Sequence, residues 1–332
     1  MNFSLIICTY QRPKALLNLL NSVQEQERYP YEILIIDGSV DKETKKMLSQ
    51  HNFMNVHYFL VEDSDRGLTK QRNYGISKVS KDIDIVCFLD DDTILSPIYF
   101  ENLLKTYAEH PKVIGVGGYI INEVKWEENN TVNCTKNYFC VDGFKRKEGT
   151  RFKLRKWLHL IDSTPPGFMP TFSHGRSISY LPPSNKSYLV EFFMGGVSSF
   201  KKGLFHKINF STYFEGYGLY EDMDFCLRAS QLGELYVNTA ATLEHHHEEA
   251  GRPNKYTYGK MVVRNGWYVW RVKYSNPTFK SKMLFHLNVI VLMKIRFFNG
   301  FYGSHKIEAF TEAFGRLVGW FTLFLNKPKI NR

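Results

Sequence analysis

Four short apolar runs alternate with amphipathic segments in the first hundred residues, and no other feature constrains the fold of this chain as much. Phe3 to Cys8, Glu32 to Ile36, Val56 to Val61 and Ile83 to Leu89 read as strands, rich in β-branched residues and bounded by polar ones. Between them, Pro13 to Gln26 carries Leu16, Leu17, Leu19, Leu20 and Val23 at helical spacing. Asp41 to His51 reads as a second helix, and Thr69 to Ser77 opens a third. This order predicts an α/β fold, a mostly parallel sheet with helices on both faces. Such sheets bind ligands at the carboxyl ends of their strands. Thr9, Asp37 and Asp90 all fall at that edge.

The fourth run ends in Asp90-Asp91-Asp92. Adjacent carboxylates repel one another, and a divalent cation is the natural counter-charge. Hard oxygen ligands suit Mg²⁺ or Mn²⁺. In extended chain alternate residues face the same way, so Asp90 and Asp92 can share a site while Asp91 faces another. A solvated acidic turn before the helix near Pro97 is the competing reading.

Other polar segments add to this edge. Asp37 precedes Gly38-Ser39 and can accept hydrogen bonds from a ribose or a base, or can simply close an Asx turn. Arg66, Lys70 and Arg72 surround Gly67 and could face a diphosphate. On a helix, positions 66, 70 and 73 share a face and 72 does not, so at most two of these cations are expected to reach a ligand. Glu221-Asp222 precedes a packed helical pattern, where the helix dipole favours carboxylates. One of the two could instead be a general base. His245-His246-His247 invites a zinc reading, but consecutive residues ligate one ion poorly and no further zinc pattern surrounds them. One imidazole joining the aspartates on a shared cation fits better, with a His-rich surface turn as the alternative.

Charge is unevenly spread. From Gly251 onward, 15 Lys/Arg face only Glu308 and Glu312, a net of +13, whereas residues 1–250 carry 28 basic and 31 acidic side chains, about −3. A near-neutral body with a basic, aromatic tail points to an anionic partner. The basic residues are not interleaved with a nucleic-acid-binding module, so a membrane surface is expected rather than nucleic acid. Met283 to Met293 and Leu317 to Leu325 are apolar with basic flanks, fitting interfacial helices on an anionic leaflet. Ordinary helices packed on the body or on a partner subunit remain open. Neither stretch reaches the length of a membrane span. Cys134 and Cys140 could pair, but five cysteines without a wider framework favour a reducing compartment. No basic leader precedes the first strand.

Taken together, the chain resembles family 2 glycosyltransferases with the GT-A fold. The resemblance rests on Ile6-Ile7-Cys8-Thr9-Tyr10-Gln11-Arg12-Pro13, Ile35-Ile36-Asp37-Gly38-Ser39, Arg66 to Asn73, Phe88 to Asp92, Gly195 to Phe200 and Glu221 to Asp224, in that order. His245 through Arg252 looks like a closing segment seen in bacterial members. The resemblance implies inverting transfer of a sugar from a nucleotide-sugar donor to a glycan or lipid-linked acceptor. Thr9, Tyr10, Arg12 and Asp37 would hold the nucleoside, with Arg66, Lys70, Arg72, Asp90 and Asp91 as further donor contacts. Asp90 and Asp92 would reach the diphosphate through Mn²⁺ or Mg²⁺, His245 would be the distant ligand, and Asp222 the catalytic base. Cys8 stands where Pro is common, and Gly38 where a second Asp often stands.

The expected organisation is a catalytic domain over 1–250 and a membrane-associating helical segment over 251–332. Within the first, 1–122 would bind the donor, 123–190 would form a loop-rich insertion, and 191–250 would carry the acceptor half. The expected location is the cytoplasmic face of the cell membrane. Two other classes compete. A sugar-phosphate nucleotidyltransferase would want a Gly-rich phosphate loop, and residues 3–13 contain no glycine. A non-catalytic nucleotide-sugar or membrane-binding protein would bind donor without turning it over.

Overall fold

The computed structural model describes residues 1–129, 134–135, 137–214, 216–247 and 253–330. Arg252 lies outside them. The chain begins β1 (Phe3–Thr9), α1 (Pro13–Gln24), β2 (Glu32–Asp37), α2 (Glu43–Ser49), β3 (Val56–Leu60), α3 (Leu68–Lys78), β4 (Ile85–Asp90). There follow β5 (Thr93–Leu95), α4 (Tyr99–Glu109), β6 (Val113–Ile120), β7 (Glu127–Glu128), β8 (Tyr138–Val141), β9 (Phe144–Lys147) and α5 (Thr150–Trp157). The remainder is β10 (Ser187–Val190), β11 (Val197–Lys201), α6 (Glu221–Ala229), β12 (Glu234–His245), α7 (Lys255–Lys273), α8 (Phe279–Tyr302) and α9 (Lys306–Leu325).

Two compact units emerge, Met1–Lys125 with Leu181–Gly251, and Trp126–Tyr180 with Arg252–Arg332. Most of the segment read from the sequence as an insertion groups with the C-terminal helices. Charge follows the same division: the second unit carries 24 Lys/Arg against seven Asp/Glu, +17, and the first 19 against 26, −7.

The first unit is built on a nine-stranded sheet in the order β10-β12-β6-β11-β4-β1-β2-β3, with β5 paired to β12. Strands β3, β2, β1 and β4 are parallel, as the alternation predicts. β11 runs antiparallel between β4 and β6. Side chains alternate across the sheet with period two. Leu5, Ile7, Ile33, Ile35, Cys87 and Leu89 join a core with Leu16, Leu19 and Leu20 of α1 and Phe100 and Leu103 of α4. On the other face, Phe88 meets Phe200, Phe205 and Phe210 edge-on, and Phe210 stacks on Phe225 of α6 with centroids 4.3 Å apart. Each such ring removes enough apolar surface from water to contribute roughly 2–3 kcal/mol. The register puts Thr9 beside Asp37 and Cys8 beside Asp90, so the strand ends form one edge.

The second unit holds a three-stranded antiparallel sheet, β7-β9-β8, and the helices α5, α7, α8 and α9. Asn254 and Thr278 cap α7 and α8 by accepting from Thr257 N and Ser281 N. Gly259 faces Glu312 and Arg316 backbone, and Gly315 faces Tyr256, so α7 and α9 approach backbone to backbone. Trp270 stacks on Phe285 at 4.6 Å, and Glu312 is answered by Arg296 and Arg316. Cys134 and Cys140 form a disulfide, which corrects the preference for unpaired thiols; a turn of six residues brings their Cα atoms to 5.8 Å.

The apolar run from Met283 also needs correction. It is one part of the 24-residue α8, about 36 Å long at helical rise. By length and composition α8 is able to cross a membrane; 22% of its most apolar window is buried within the protein. Its Asn288 is fully buried and accepts from Arg155 Nε at 2.8 Å.

Candidate active site

Three elements converge on the strand-end edge of the first unit. The chain leaves β4 through Asp90-Asp91-Asp92 and turns at once into β5, which pairs antiparallel with the end of β12 so that Thr93 lies opposite His245. His246 N donates to the Asp92 carbonyl at 2.9 Å, fixing that register. α6 brings Glu221 and Asp222, and the loop before β11 brings Gly195 and Gly196.

The three aspartates diverge as extended geometry requires. Asp91 turns inward and is only 3% exposed. It accepts from Thr9 Oγ1 at 2.7 Å and from Arg12 Nη1 at 3.1 Å. Burial pushes its pKa up to about 6 against the opposing pull of Thr9 and Arg12. Thr9, Arg12 and Asp91 therefore form a buried brace. Asp92 lies 3.6 Å from Arg12 Nη1, and its Oδ1 is 3.1 Å from His245 Nε2. His245 Nδ1 is 3.2 Å from Glu123. Burial alone would lower the His245 pKa, but its bonds to Asp92 and Glu123 outweigh burial and raise it to about 10.

Asp90, Asp92 and His245 each offer one ligand atom, all within 4.8 Å of one another. Two carboxylates and an imidazole suit Mn²⁺ better than Mg²⁺, which prefers oxygen alone. The residues present thus fit a divalent cation. Glu123, His245 and His247 form an adjoining group of the same kind. His246 turns instead to Glu244, 3.0 Å away.

Arg72 corrects the expectation for its helix. α3 begins at Leu68, so Arg66 precedes the helix and Arg72 is the cation that points into the protein. Arg72 bonds Glu221 through Nη1, lies 3.6 Å from Asp90 through Nη2, and sits between the Phe88 and Phe210 rings. Burial would lower its pKa, but Glu221 and Asp90 hold the guanidinium charged. A single cation cannot neutralise Asp90, Glu221 and Asp222 together. Burial keeps the Glu221 pKa up at about 8 despite Arg72.

Asp222 differs from its neighbour. Glu221 is buried and committed to Arg72, whereas Asp222 is half-buried. Its Oδ2 accepts from Gly195 N at 3.1 Å and its Oδ1 from Met223 N at 2.7 Å. Burial raises its pKa while those two amides lower it. Tyr220, at φ 70°, turns the chain into α6 and aims the acidic pair, a rare conformation for a bulky residue. Gly195 and Gly196 form the floor between the two acidic groups. A Cβ on Gly195 would meet Arg72 and Glu221 at 2.6 Å and Asp222 Cβ at 3.0 Å; one on Gly196 would meet Asp90 at 2.0 Å.

The remaining candidates lie along β1 and β2. Asp37 is fully buried, its oxygens accepting from Ser39 N at 2.8 Å and the Tyr58 hydroxyl at 2.9 Å. Arg66 donates to the Gly38 carbonyl at 2.6 Å and pairs with Asp63. Tyr10 is exposed beyond the end of β1, and Lys70 is half-buried on α3. The sequence reading missed Gln71, Tyr58 and Glu123. Gln71 donates to Thr9 O and Ile36 O, tying the ends of β1 and β2 together. An amide has no chemistry of its own, so only its place among buried carbonyls reveals it.

A mostly parallel sheet with carboxylates gathered at its strand ends and a glycine pair between them defines the class, an α/β enzyme of the GT-A fold. The chain belongs to glycosyl transferase family 2, whose profile matches residues 4–193. Among curated relatives, the glucosyl-dolichyl phosphate glucuronosyltransferase of Haloferax volcanii is 26% identical over 123 residues, 36% of this chain and 39% of that protein. The O-antigen chain rhamnosyltransferase RfbN of Salmonella typhimurium is 29% identical over 118 residues, 36% of this chain and 37% of that one. The matches thus span under two fifths of either relative. Of solved structures, S. aureus TarS 1–349 superposes with a TM-score of 0.54 at 15% identity, over 97% of this chain and 80% of that one. The Pyrobaculum calidifontis mannosyltransferase PcManGT, in complex with GDP-Man and Mn²⁺, gives 0.51 at 13% identity, over 99% and 76%.

Proposed function

We propose that this protein is a metal-dependent inverting transferase. It would move a sugar from a nucleoside-diphosphate sugar to a hydroxyl of a glycan or lipid-linked acceptor during surface polysaccharide synthesis. The observation that carries the reading is the placement of Asp222 and Asp90 on either side of Gly195-Gly196, one carboxyl half-buried and held by two backbone amides and the other among potential metal ligands. An acceptor hydroxyl is a poor nucleophile, and Asp222 would take its proton as the new glycosidic bond forms and the bond to the diphosphate breaks. Asp90, Asp92 and His245 would hold Mn²⁺ or Mg²⁺, which when bound offsets charge on the departing diphosphate. Thr9, Tyr10, Arg12 and the β2 end at Asp37 would border the nucleoside. The GDP-Man and Mn²⁺ held by PcManGT support this assignment of donor and metal.

A thermal-shift panel tests it. The chain is titrated with UDP-, GDP- and dTDP-sugars, each with and without Mn²⁺. Binding to the folded state raises the melting temperature with ligand concentration over affinity, so one donor should stabilise strongly only with metal. No stabilisation by any donor in saturating Mn²⁺ would contradict the proposal.

The protein would work on the cytoplasmic face of the cell membrane. The second unit's net +17 and the exposed Phe297, Phe298 and Phe301 of α8 with Phe314, Phe321 and Phe324 of α9 support contact with an anionic leaflet. The buried Asn288–Arg155 bond favours α8 lying along the surface over crossing it.

A further inference from the structure

We infer that Glu123, His245 and His247 form a second metal site, suited to Zn²⁺, which shares His245 with Asp90 and Asp92 and so competes with the cation held there. The zinc site stands on its own geometry. The competition rests on the proposed assignment of Asp90, Asp92 and His245 to the donor's cation.

Three consecutive histidines close poorly on one ion, but the fold divides them. β12 ends at His245, and alternate residues of an extended chain face the same way. His246 turns to Glu244, 3.0 Å away, while His245 and His247 lie together with ring centroids 4.1 Å apart. A single carboxylate oxygen, Glu123 Oε1, lies 3.2 Å from His245 Nδ1 and 2.9 Å from His247 Nε2. One ligand atom from each residue falls within 4.8 Å of the other two, so one ion can reach all three. Asn122 fixes the strand end beside this group: its Nδ2 donates to the His245 carbonyl at 3.0 Å, and its Oδ1 accepts from His245 N at 3.1 Å. Glu123, next in sequence, is thereby set against β12.

The two groups differ in chemistry. Two imidazoles and a carboxylate are rich in nitrogen, and Zn²⁺ accepts such a set with a water in its fourth position. Asp90, Asp92 and His245 are rich in oxygen and suit Mn²⁺ or Mg²⁺. The zinc group is also the outer one, with the His247 side chain 51% exposed against 7% for Asp92. His245 joins the groups through opposite nitrogens: Nε2 lies 3.1 Å from Asp92, and Nδ1 faces Glu123. A neutral imidazole offers one lone pair and carries its proton on the other nitrogen. Zn²⁺ on Nδ1 therefore leaves Nε2 as a donor to Asp92, and the inner group loses its imidazole. Zinc at the outer site weakens the inner cation and, through it, the donor.

The test uses the full chain, stripped of metal with EDTA and dialysed free of it. Zn²⁺ is titrated by calorimetry into Asp90→Asn with Asp92→Asn, which lacks the inner carboxylates and should still bind one ion. Adding His247→Asn or Glu123→Gln should weaken that binding about tenfold or more, since even an outer-shell partner is worth that much. His247 is exposed and sits at φ 26°, which asparagine tolerates, so His247→Asn should fold normally. A second arm leaves the aspartates intact and follows Mn²⁺ binding by electron paramagnetic resonance. One equivalent of Zn²⁺ should weaken Mn²⁺ binding in wild type, and weaken it less in His247→Asn. Zn²⁺ affinity that ignores both His247 and Glu123, or equal loss of Mn²⁺ from wild type and His247→Asn, overturns the inference. Zinc binding that follows His247 and Glu123 in a wild type that takes up no Mn²⁺ upholds the zinc site and contradicts instead the metal assignment of Asp90 and Asp92.

Discussion

Arg72 couples Glu221 to Asp90: one guanidinium, buried between two phenylalanine rings, bonds the first carboxyl and lies 3.6 Å from the second. The acidic start of α6 and the acidic end of β4 are thus held by a common cation, leaving Asp222 as the half-buried carboxyl of the pair at α6. Removing that cation should be costly. Arg72→Met strands a buried acid, and above the Glu221 pKa of about 8, where that acid is charged, the expected loss is about 3–5 kcal/mol by urea denaturation. Arg72→Met combined with Glu221→Met should recover most of it, because no buried charge is left alone. Equal stability of the single and double variants would show that the pair is not coupled.

Stability should fall as pH rises through neutrality. Glu221 has a folded pKa of about 8 against 4.5 for the free side chain. Between those values the folded state holds a proton that the unfolded state has lost, so raising pH favours unfolding. The contribution is fully present below about pH 4.5 and is gone above about 8. Denaturation midpoints of wild type and Glu221→Gln, measured from pH 5 to 9, should differ in slope, with the variant flatter. Parallel curves would place the proton elsewhere.

Gly196→Ala should damage activity more than stability. The new Cβ would fall 2.0 Å from Asp90 Oδ2, and that side chain can rotate away at the open edge of the site. Displacing a positioning group by about an ångström costs on the order of a hundredfold in rate. A transfer assay beside a melting curve checks it; wild-type turnover would mean that the geometry around Asp90 is not critical.

Phe298→Asp with Phe321→Asp should release the protein from vesicles rich in anionic lipid while leaving its melting temperature unchanged, since both rings are exposed. Co-sedimentation reads the change, and undiminished binding of the double variant would move the contact to another surface.

Much of the first unit was legible in the sequence because its determinants are local. Strand-forming runs, the leucines of α1 and the polar residue closing each strand announce a parallel sheet and its active edge. Asp90, Asp92, Asp222 and His245 were legible for the same reason, since carboxylates and imidazoles at strand or helix ends stand out by type. What stayed hidden depends on partners far along the chain. That Arg72 turns into the protein was not legible, because its partners Glu221 and Asp90 come from α6 and β4. Tyr58, which donates to Asp37 from the neighbouring strand, carries no such local mark. The basic residues after Met293 seemed to end an apolar run, but Arg296 is neutralised by Glu312 of α9 and the helix continues. The grouping of residues 126–180 with the C-terminal helices leaves no local signal, because it rests on pairs such as Arg155 with Asn288.

The central claim concerns Asp222, and its most direct test is transfer by Asp222→Asn. The replacement keeps the side-chain shape and at least the bond from Met223 N or Gly195 N, but removes the carboxylate proposed as the base. With the donor identified, the account predicts unchanged donor affinity in Mn²⁺ and a fall in kcat of about 10²–10⁴-fold. Turnover at the wild-type rate, with donor bound as tightly, would contradict it.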